Sequence, residues 1–228
     1  TALVVFDAYM DPENNSSDAS VAVAPKHLNV PVVTDLAGEK AEAGVKLTWS
    51  EPNLEGGAVE TVTESFEEFT EFSADGFNVA SYEENGWIFI DEDNAKIGGF
   101  QGMDLPNLTA GATTGSFFTF DQSAGNETFA AHSGEKYLAA LFRYDDGQTS
   151  DWAISPALSG NAQTIELYAR SYSSSYPEKI EFLYSTGGTS VDDFQLISTV
   201  ESVPGDWTLY SIDVPAGAAR FAIHSCAQ

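Results

Sequence analysis

Asp91-Glu92-Asp93-Asn94 is the segment whose residue types and spacing best suit chemistry. Two carboxylates two positions apart, followed by an amide oxygen, let a backbone wrap a hard divalent cation with short oxygen arms, as Ca2+ loops require. The glycine and distal Glu of an EF-hand fall at other offsets, so this is not one. From these residues a solvated turn and a calcium loop are equally good readings, and Lys96 brings a positive charge close by. Asp145-Asp146-Gly147 and Asp192-Asp193 are further acidic pairs, read as turns between strands because Asp-Gly is a strong turn signal.

Catalytic groupings are poor, and no enzyme is expected. A serine hydrolase brings Ser, His and an acid together, often on a G-x-S-x-G elbow. Ala131-His132-Ser133-Gly134 lacks the first glycine and runs into a strand rather than a helix. His27, His132 and His224 include no pair at metal-ligand spacing. No Glu is followed at i+2 by Asp, the spacing that sets acid and nucleophile on one strand face in glycosidases of this kind.

Among aromatics, Tyr172 and Tyr176 flank Ser173-Ser174-Ser175 ahead of Pro177, with Arg170 and Lys179 nearby. Exposed rings with polar neighbours suit sugar stacking; the same two tyrosines also suit packing at a sandwich corner. Trp87, Trp152 and Trp207 lie in strand-like apolar runs and are read as core. Cys226 is the single cysteine, which excludes an internal disulfide and a multi-thiolate metal site. Its alternating neighbours give it the role of a small buried hydrophobe.

The elements that must position these groups are strands. Short alternating β-branched and aromatic runs recur between Gly, Asn, Asp and Ser clusters, and no long segment keeps apolar residues at i, i+3, i+4. Residues 2–10 and 19–24 read as a hairpin around the polar loop 11–18, more consistent with the closing strands of a domain than with an isolated hairpin. Val32-Val33-Thr34-Asp35-Leu36 and Val45-Lys46-Leu47-Thr48-Trp49-Ser50 form a second pair of strands, ending at Pro52. No apolar run approaches the roughly 20 residues of a membrane helix, so membrane insertion is not expected. Nor does the chain open on a basic, then apolar leader. Thirty-five Asp and Glu against nine Lys and Arg give −26, a field that repels phosphate backbones and anionic lipid, so nucleic acid is excluded as a partner.

From about Thr61 onward the order of segments carries a family resemblance. Thr63-Glu64-Ser65-Phe66-Glu67-Glu68, Gly86-Trp87, Asp91-Glu92-Asp93, Asp151-Trp152-Ala153-Ile154-Ser155-Pro156-Ala157-Leu158, Tyr184-Ser185-Thr186-Gly187-Gly188, Asp193-Phe194, Trp207 and Tyr210 stand in sequence. This run resembles the cleaved-adhesin and choice-of-anchor J (MAM-like) domains of Bacteroidetes surface proteins. The resemblance implies an all-β jelly-roll β-sandwich of galactose-binding-like type over residues 61–228, with structural Ca2+. It places metal ligands at Asp91 and Asp93 and, through the "SFE" opening, at Glu67, whose partner would be an Asp-Asp pair of the family's last strand. The usual loop carries a third Asp and glycines, where this chain has Ala95-Lys96.

Residues 29–54 resemble the first two strands of a fibronectin type III domain, into which such jelly rolls are often inserted. Residues 1–25 resemble the closing strands of a CARDB-like sandwich. Partial immunoglobulin- or fibronectin-like strands would thus flank the main unit. The family's last strand, with an Asp-Asp pair, has no counterpart after Cys226, so the chain is expected to be a fragment of a longer polypeptide. The implied function is a non-catalytic adhesion or binding module of a secreted, outer-membrane-associated cell-surface protein. Its partner would be a glycan, held through Tyr172 and Tyr176, or a host or surface protein. A structural spacer within a surface assembly, contacting its other chains, and an ancillary module of a secreted hydrolase are the alternatives.

Overall fold

The computed structural model describes residues 34–41, 44–50, 61–72, 80–173, 175–176 and 178–227. The hairpin expected over residues 2–24 lies outside them. The chain divides into two compact units, Thr1–Val62 and Thr63–Gln228. In the first unit, β1 (Thr34–Ala41) and β2 (Gly44–Ser50) pair antiparallel with Thr34 opposite Ser50 and Ala41 opposite Gly44; the register shifts between Thr34 and Ala37.

The second unit is built of β3 (Tyr82–Glu84), β4 (Trp87–Asp91), β5 (Phe118–Asp121), β6 (Lys136–Ala139), β7 (Asp151–Ile154), β8 (Gln163–Ala169), β9 (Glu178–Ser185), β10 (Gln195–Val203), β11 (Thr208–Val214) and β12 (Arg220–Ser225). Among the described residues its helical structure is limited to short 3-10 turns, and no helix is long and apolar enough to cross a membrane. The strands β10-β9-β12-β7-β4-β3 form one six-stranded sheet, and β8-β11 and β5-β6 form two antiparallel pairs. The protein is all-β.

Side-chain alternation makes this a sandwich. One face of the six-stranded sheet carries Trp87, Phe89, Ala153, Ile223, Phe221 and Phe182. Phe182 and Phe221 pack with Ile212 and Val214 of β11 and Ile165 and Leu167 of β8. Trp87, Phe89 and Ala153 pack with Phe117, Phe69 and Leu138, which brings in β6. Both two-stranded pairs therefore cover the same inner face. The outer face has a second apolar layer: Trp152, Ile154, Leu183 and Ala222 are buried, with Ile88, Ile90, Val191 and Phe194 packed against them. Because β7 is covered on both sides, all four of its residues are buried. Trp87 and Trp152 are core residues as expected, whereas Trp207 is only half-buried. Its indole N–H reaches the Ala130 carbonyl at 3.3 Å, and Arg170 lies over its ring. It lies just ahead of β11, with Tyr137 of β6 edge-on to its ring at 5.7 Å.

Candidate metal centre

Strand periodicity explains how carboxylates come to be buried here. Trp87, Phe89 and Asp91 alternate onto the inner face of β4, and Asp151 and Ala153 onto the inner face of β7. Register then sets Asp91 opposite Asp151, with Ser225 of β12 beyond. The next residues after β4 turn back: Asn94 takes a left-handed φ of 49°, which Asn tolerates, and swings Asp93 toward the same point. One carboxylate oxygen from each of Asp91, Asp93 and Asp151 lies within 4.8 Å of the others.

Part of this trio is already committed to the backbone. Asp91 Oδ1 accepts the Asn94 N–H at 2.7 Å, Asp93 Oδ1 that of Ala95 at 2.8 Å, and Asp93 Oδ2 that of Ser150 at 3.0 Å. Asp91 Oδ2 and Asp151 Oδ1 are buried and accept no hydrogen bond. Arg143 Nη1 approaches Asp93 Oδ2 at 3.7 Å, and its Nε is paired with Asp145. Lys96 is turned elsewhere, its ammonium donating to the Ala112 carbonyl at 3.0 Å. Burial, then the charges of Asp93 and Asp91, push the Asp151 carboxyl up to about 8. Burial also raises Asp91, with the Asp93 charge adding to it. Three clustered carboxylates with a single guanidinium, paired to Asp93 and shared with Asp145, are short of positive charge, and an all-oxygen donor set of this kind fits Ca2+, which takes six to eight oxygens.

Glu67 is not brought to this centre. Its Oε1 accepts the N–H groups of Glu135 and Lys136 at 2.8 and 3.0 Å, so it clips the segment after Phe66 to the start of β6. The neighbouring Phe66 ring rests on Trp87, at the end of β4 opposite Asp91 and roughly 13 Å from it at strand rise. Gly134, at φ 67°, leaves room for this carboxylate where a Cβ would collide with Glu67 Oε1. Of the expected ligands, Asp91 and Asp93 stand together with Asp151, and Glu67, expected to partner an Asp-Asp pair of a later strand, stands apart from them. Asp151 was missed because the first residue of a strand, read alone, shows no partner. Its signal was the alternation with Ala153.

The other acidic pairs are turn residues. Asp193 Oδ2 accepts the Ser190 N–H at 3.1 Å at a 3-10 turn, and Gly147 takes φ 139° after Asp145-Asp146. Tyr172 is half-buried and stacks on Phe100 at 4.2 Å and 17°, with Phe129 at 5.8 Å, so it belongs to the packing of β5 and its neighbours. Tyr176 is 67% exposed. The tyrosine pair is thus split between core and surface. A surface aromatic group that the sequence did not single out lies elsewhere: Tyr168, 45% exposed, stacks on His132 at 3.6 Å, and His132 meets Trp207 edge-on at 5.9 Å.

Ser150, His224 and Glu181 stand in line, an arrangement the sequence reading did not find. Ser150 Oγ is 2.9 Å from His224 Nε2, and His224 Nδ1 is 3.0 Å from Glu181 Oε2. The serine hydroxyl, however, donates to Glu92 Oε2 at 2.6 Å, which also accepts the Trp152 indole N–H at 2.9 Å. These bonds, the Ser150 hydroxyl foremost, hold the Glu92 carboxyl below its ordinary range. With its proton given to Glu92, Ser150 can only accept from Nε2. The imidazole has no lone pair facing the hydroxyl to act as its base, so the alignment positions groups rather than activating a nucleophile.

The fold and site define an all-β sandwich with a trio of clustered carboxylates, two of them buried. No protein-family model matches the chain, and no curated protein matches it. Among solved structures it is similar to the K2 cleaved adhesin domain of Lys-gingipain, at 16% identity and TM-score 0.48, covering 72% of this chain and 88% of that domain. It is also similar to the K1 domain of Lys-gingipain from Porphyromonas gingivalis, at 16% identity and TM-score 0.44, covering 64% and 85%. For the K3 domain from the same organism the identity is 14% and the TM-score 0.37, covering 62% and 81%.

Proposed function

We propose that this chain is a non-catalytic, adhesion-type binding module of a secreted cell-surface protein, its sandwich fastened by a structural Ca2+ held by Asp91, Asp93 and Asp151. The observation that carries the cation is the pair of buried, unpartnered oxygens, Asp91 Oδ2 and Asp151 Oδ1, on facing strands. A buried carboxyl oxygen without a hydrogen-bond partner is costly, and ionising it in place costs more; a divalent ion would supply both oxygens with a partner and let both carboxyls ionise. Ca2+ there would cross-tie β4, its following loop and β7.

The adhesive part rests on the ordered sequence motifs that resemble cleaved-adhesin domains and on surface aromatics able to stack on sugar rings. Tyr168, backed by His132 with Arg170 and Trp207 alongside, and the exposed Tyr176 supply such rings. The −26 charge favours neutral or basic partners over acidic ones. Two measurements test the reading. Melting with Ca2+ against EDTA should raise the midpoint with the ion, because a ligand of the native state alone stabilises it. Binding to glycans or host-matrix proteins should fall in a Tyr168→Ala/Tyr176→Ala double variant. A folded chain silent across a broad glycan and matrix panel is a spacer instead.

A further inference from the structure

We infer that Glu181, His224 and Cys226 form a second cation site, of the zinc-accepting class, on the outer face of the six-stranded sheet. One ligand atom from each lies within 4.8 Å of the others. Register produces this grouping: His224 and Cys226 are two apart along one strand path, and Glu181 of β9 sits directly opposite His224. An imidazole, a thiol and a carboxylate make a borderline-soft donor set, unlike the all-oxygen trio on the inner face. Tetrahedral ligands around zinc stand roughly 3.3 to 3.8 Å apart, given bonds of about 2.0 to 2.3 Å, so a small contraction completes three corners. The side chains of His224 and Glu181 are 14% and 23% exposed, which opens the fourth corner to water.

The hydrogen bonds around His224 point to the same site. Ser150 gives its proton to Glu92, so Nε2 must carry a hydrogen toward Ser150 Oγ. Nδ1 faces the Glu181 carboxylate, which only accepts, so Nδ1 needs a proton or a cation. With a metal on Nδ1 the ring is a neutral imidazole in its ligating tautomer. The chain Nε2–H to Ser150 to Glu92 is then the outer-shell support that ligating histidines have. Glu181 divides its oxygens in a compatible way: Oε1 faces Lys179 Nζ at 3.9 Å, and Oε2 faces His224. Lys179 has a second partner in Glu201 at 3.6 Å, toward which it can move.

Cys226 is 2% exposed, and its Sγ makes only a long 3.7 Å contact with the Lys179 carbonyl. Burial, with the Glu181 charge adding, pushes its thiol up to about 11. The metal-free sulfur is therefore protonated, and binding releases the thiol proton and the Nδ1 proton to solvent as the S–metal and N–metal bonds form.

Co2+ titrated into the whole, metal-stripped chain already saturated with Ca2+ is the test. The expected result is a near-ultraviolet thiolate-to-cobalt band with tetrahedral visible absorption, saturating at one cobalt per chain and erased by Zn2+. Cys226→Ser should remove the thiolate band, and His224→Gln should weaken Zn2+ binding about tenfold or more. If either variant fails to fold, the wild-type spectrum decides alone, and no thiolate band overturns the site. Co2+ binding that survives Cys226→Ser but is lost in Asp151→Asn also overturns it, assigning the ion to the carboxylate trio. The Ca2+ shift in midpoint is read separately, so failure of one site does not stand for failure of the other.

Discussion

Asp151→Asn removes one ionisable carboxyl from the trio while keeping the shape of the side chain. In the folded chain the Asp151 carboxyl titrates at about 8, and in the unfolded chain at an ordinary value near 3.9. Between those values the folded state binds more protons than the unfolded state. The contribution is therefore fully present below about pH 4 and is lost as pH rises through 8. One pKa unit corresponds to about 1.4 kcal/mol, so metal-free wild type loses roughly 5 kcal/mol from this group by pH 8, and roughly 3 to 4 of it between pH 5 and pH 8. Asp91, raised by burial, acts in the same direction. In a domain of this size that is a fall of about 10 °C in midpoint. The assay is urea unfolding at pH 5 and pH 8, in EDTA and in Ca2+, for wild type and Asp151→Asn. In EDTA the variant should lose far less than wild type across the range, a comparison that cancels general repulsion among the other acidic groups. With Ca2+ at a thousandfold over its Kd, wild type should recover about 4 kcal/mol and the variant little of it. Equal pH dependence in both proteins, or equal Ca2+ protection of both, would refute the reasoning.

Three further outcomes are expected. Glu67→Gln should weaken two charge-assisted bonds to the Glu135 and Lys136 amides and cost about 1 to 3 kcal/mol in chemical unfolding, yet leave the Ca2+ affinity by calorimetry unchanged. Tyr172→Ala should cost about 2 kcal/mol by lost stacking on Phe100 and Phe129, whereas Tyr176→Ala should leave stability within about 0.5 kcal/mol, as paired thermal melts would show. Ser150→Ala should cost about 1 to 3 kcal/mol, since Glu92 and His224 lose their shared hydroxyl; hydrogen exchange should loosen first around Asp151–Ile154 and Arg220–Ser225.

Part of the candidate centre was legible. The two Asp residues flanking Glu92 suited a cation loop and a solvated turn equally, and the face Asp91 takes follows from alternation with Trp87 and Phe89 once the strand is placed. Where Glu67 lies relative to that loop was not legible, because a position within a motif carries no distance. Its carboxylate is spent on the β6 amides, far along β4 from the loop. Tyr172 and Tyr176 look alike in the sequence, but only one has Phe100 and Phe129 waiting beside it. Trp207 sits next to a strand-like run but just ahead of the strand, where burial ends.

Period-two patterning, turn chemistry and the excess of Asp and Glu determined by themselves that this is an all-β, strongly acidic chain, because those properties are set by neighbours along the chain. Which strand lies beside which was decided only by the tertiary structure. Asp151 meets Asp91, and His224 meets Glu181 and Ser150, through pairings that span dozens of residues. Local sequence cannot encode such a meeting, since the energy of a buried charge depends on what the folded chain places a few ångströms away.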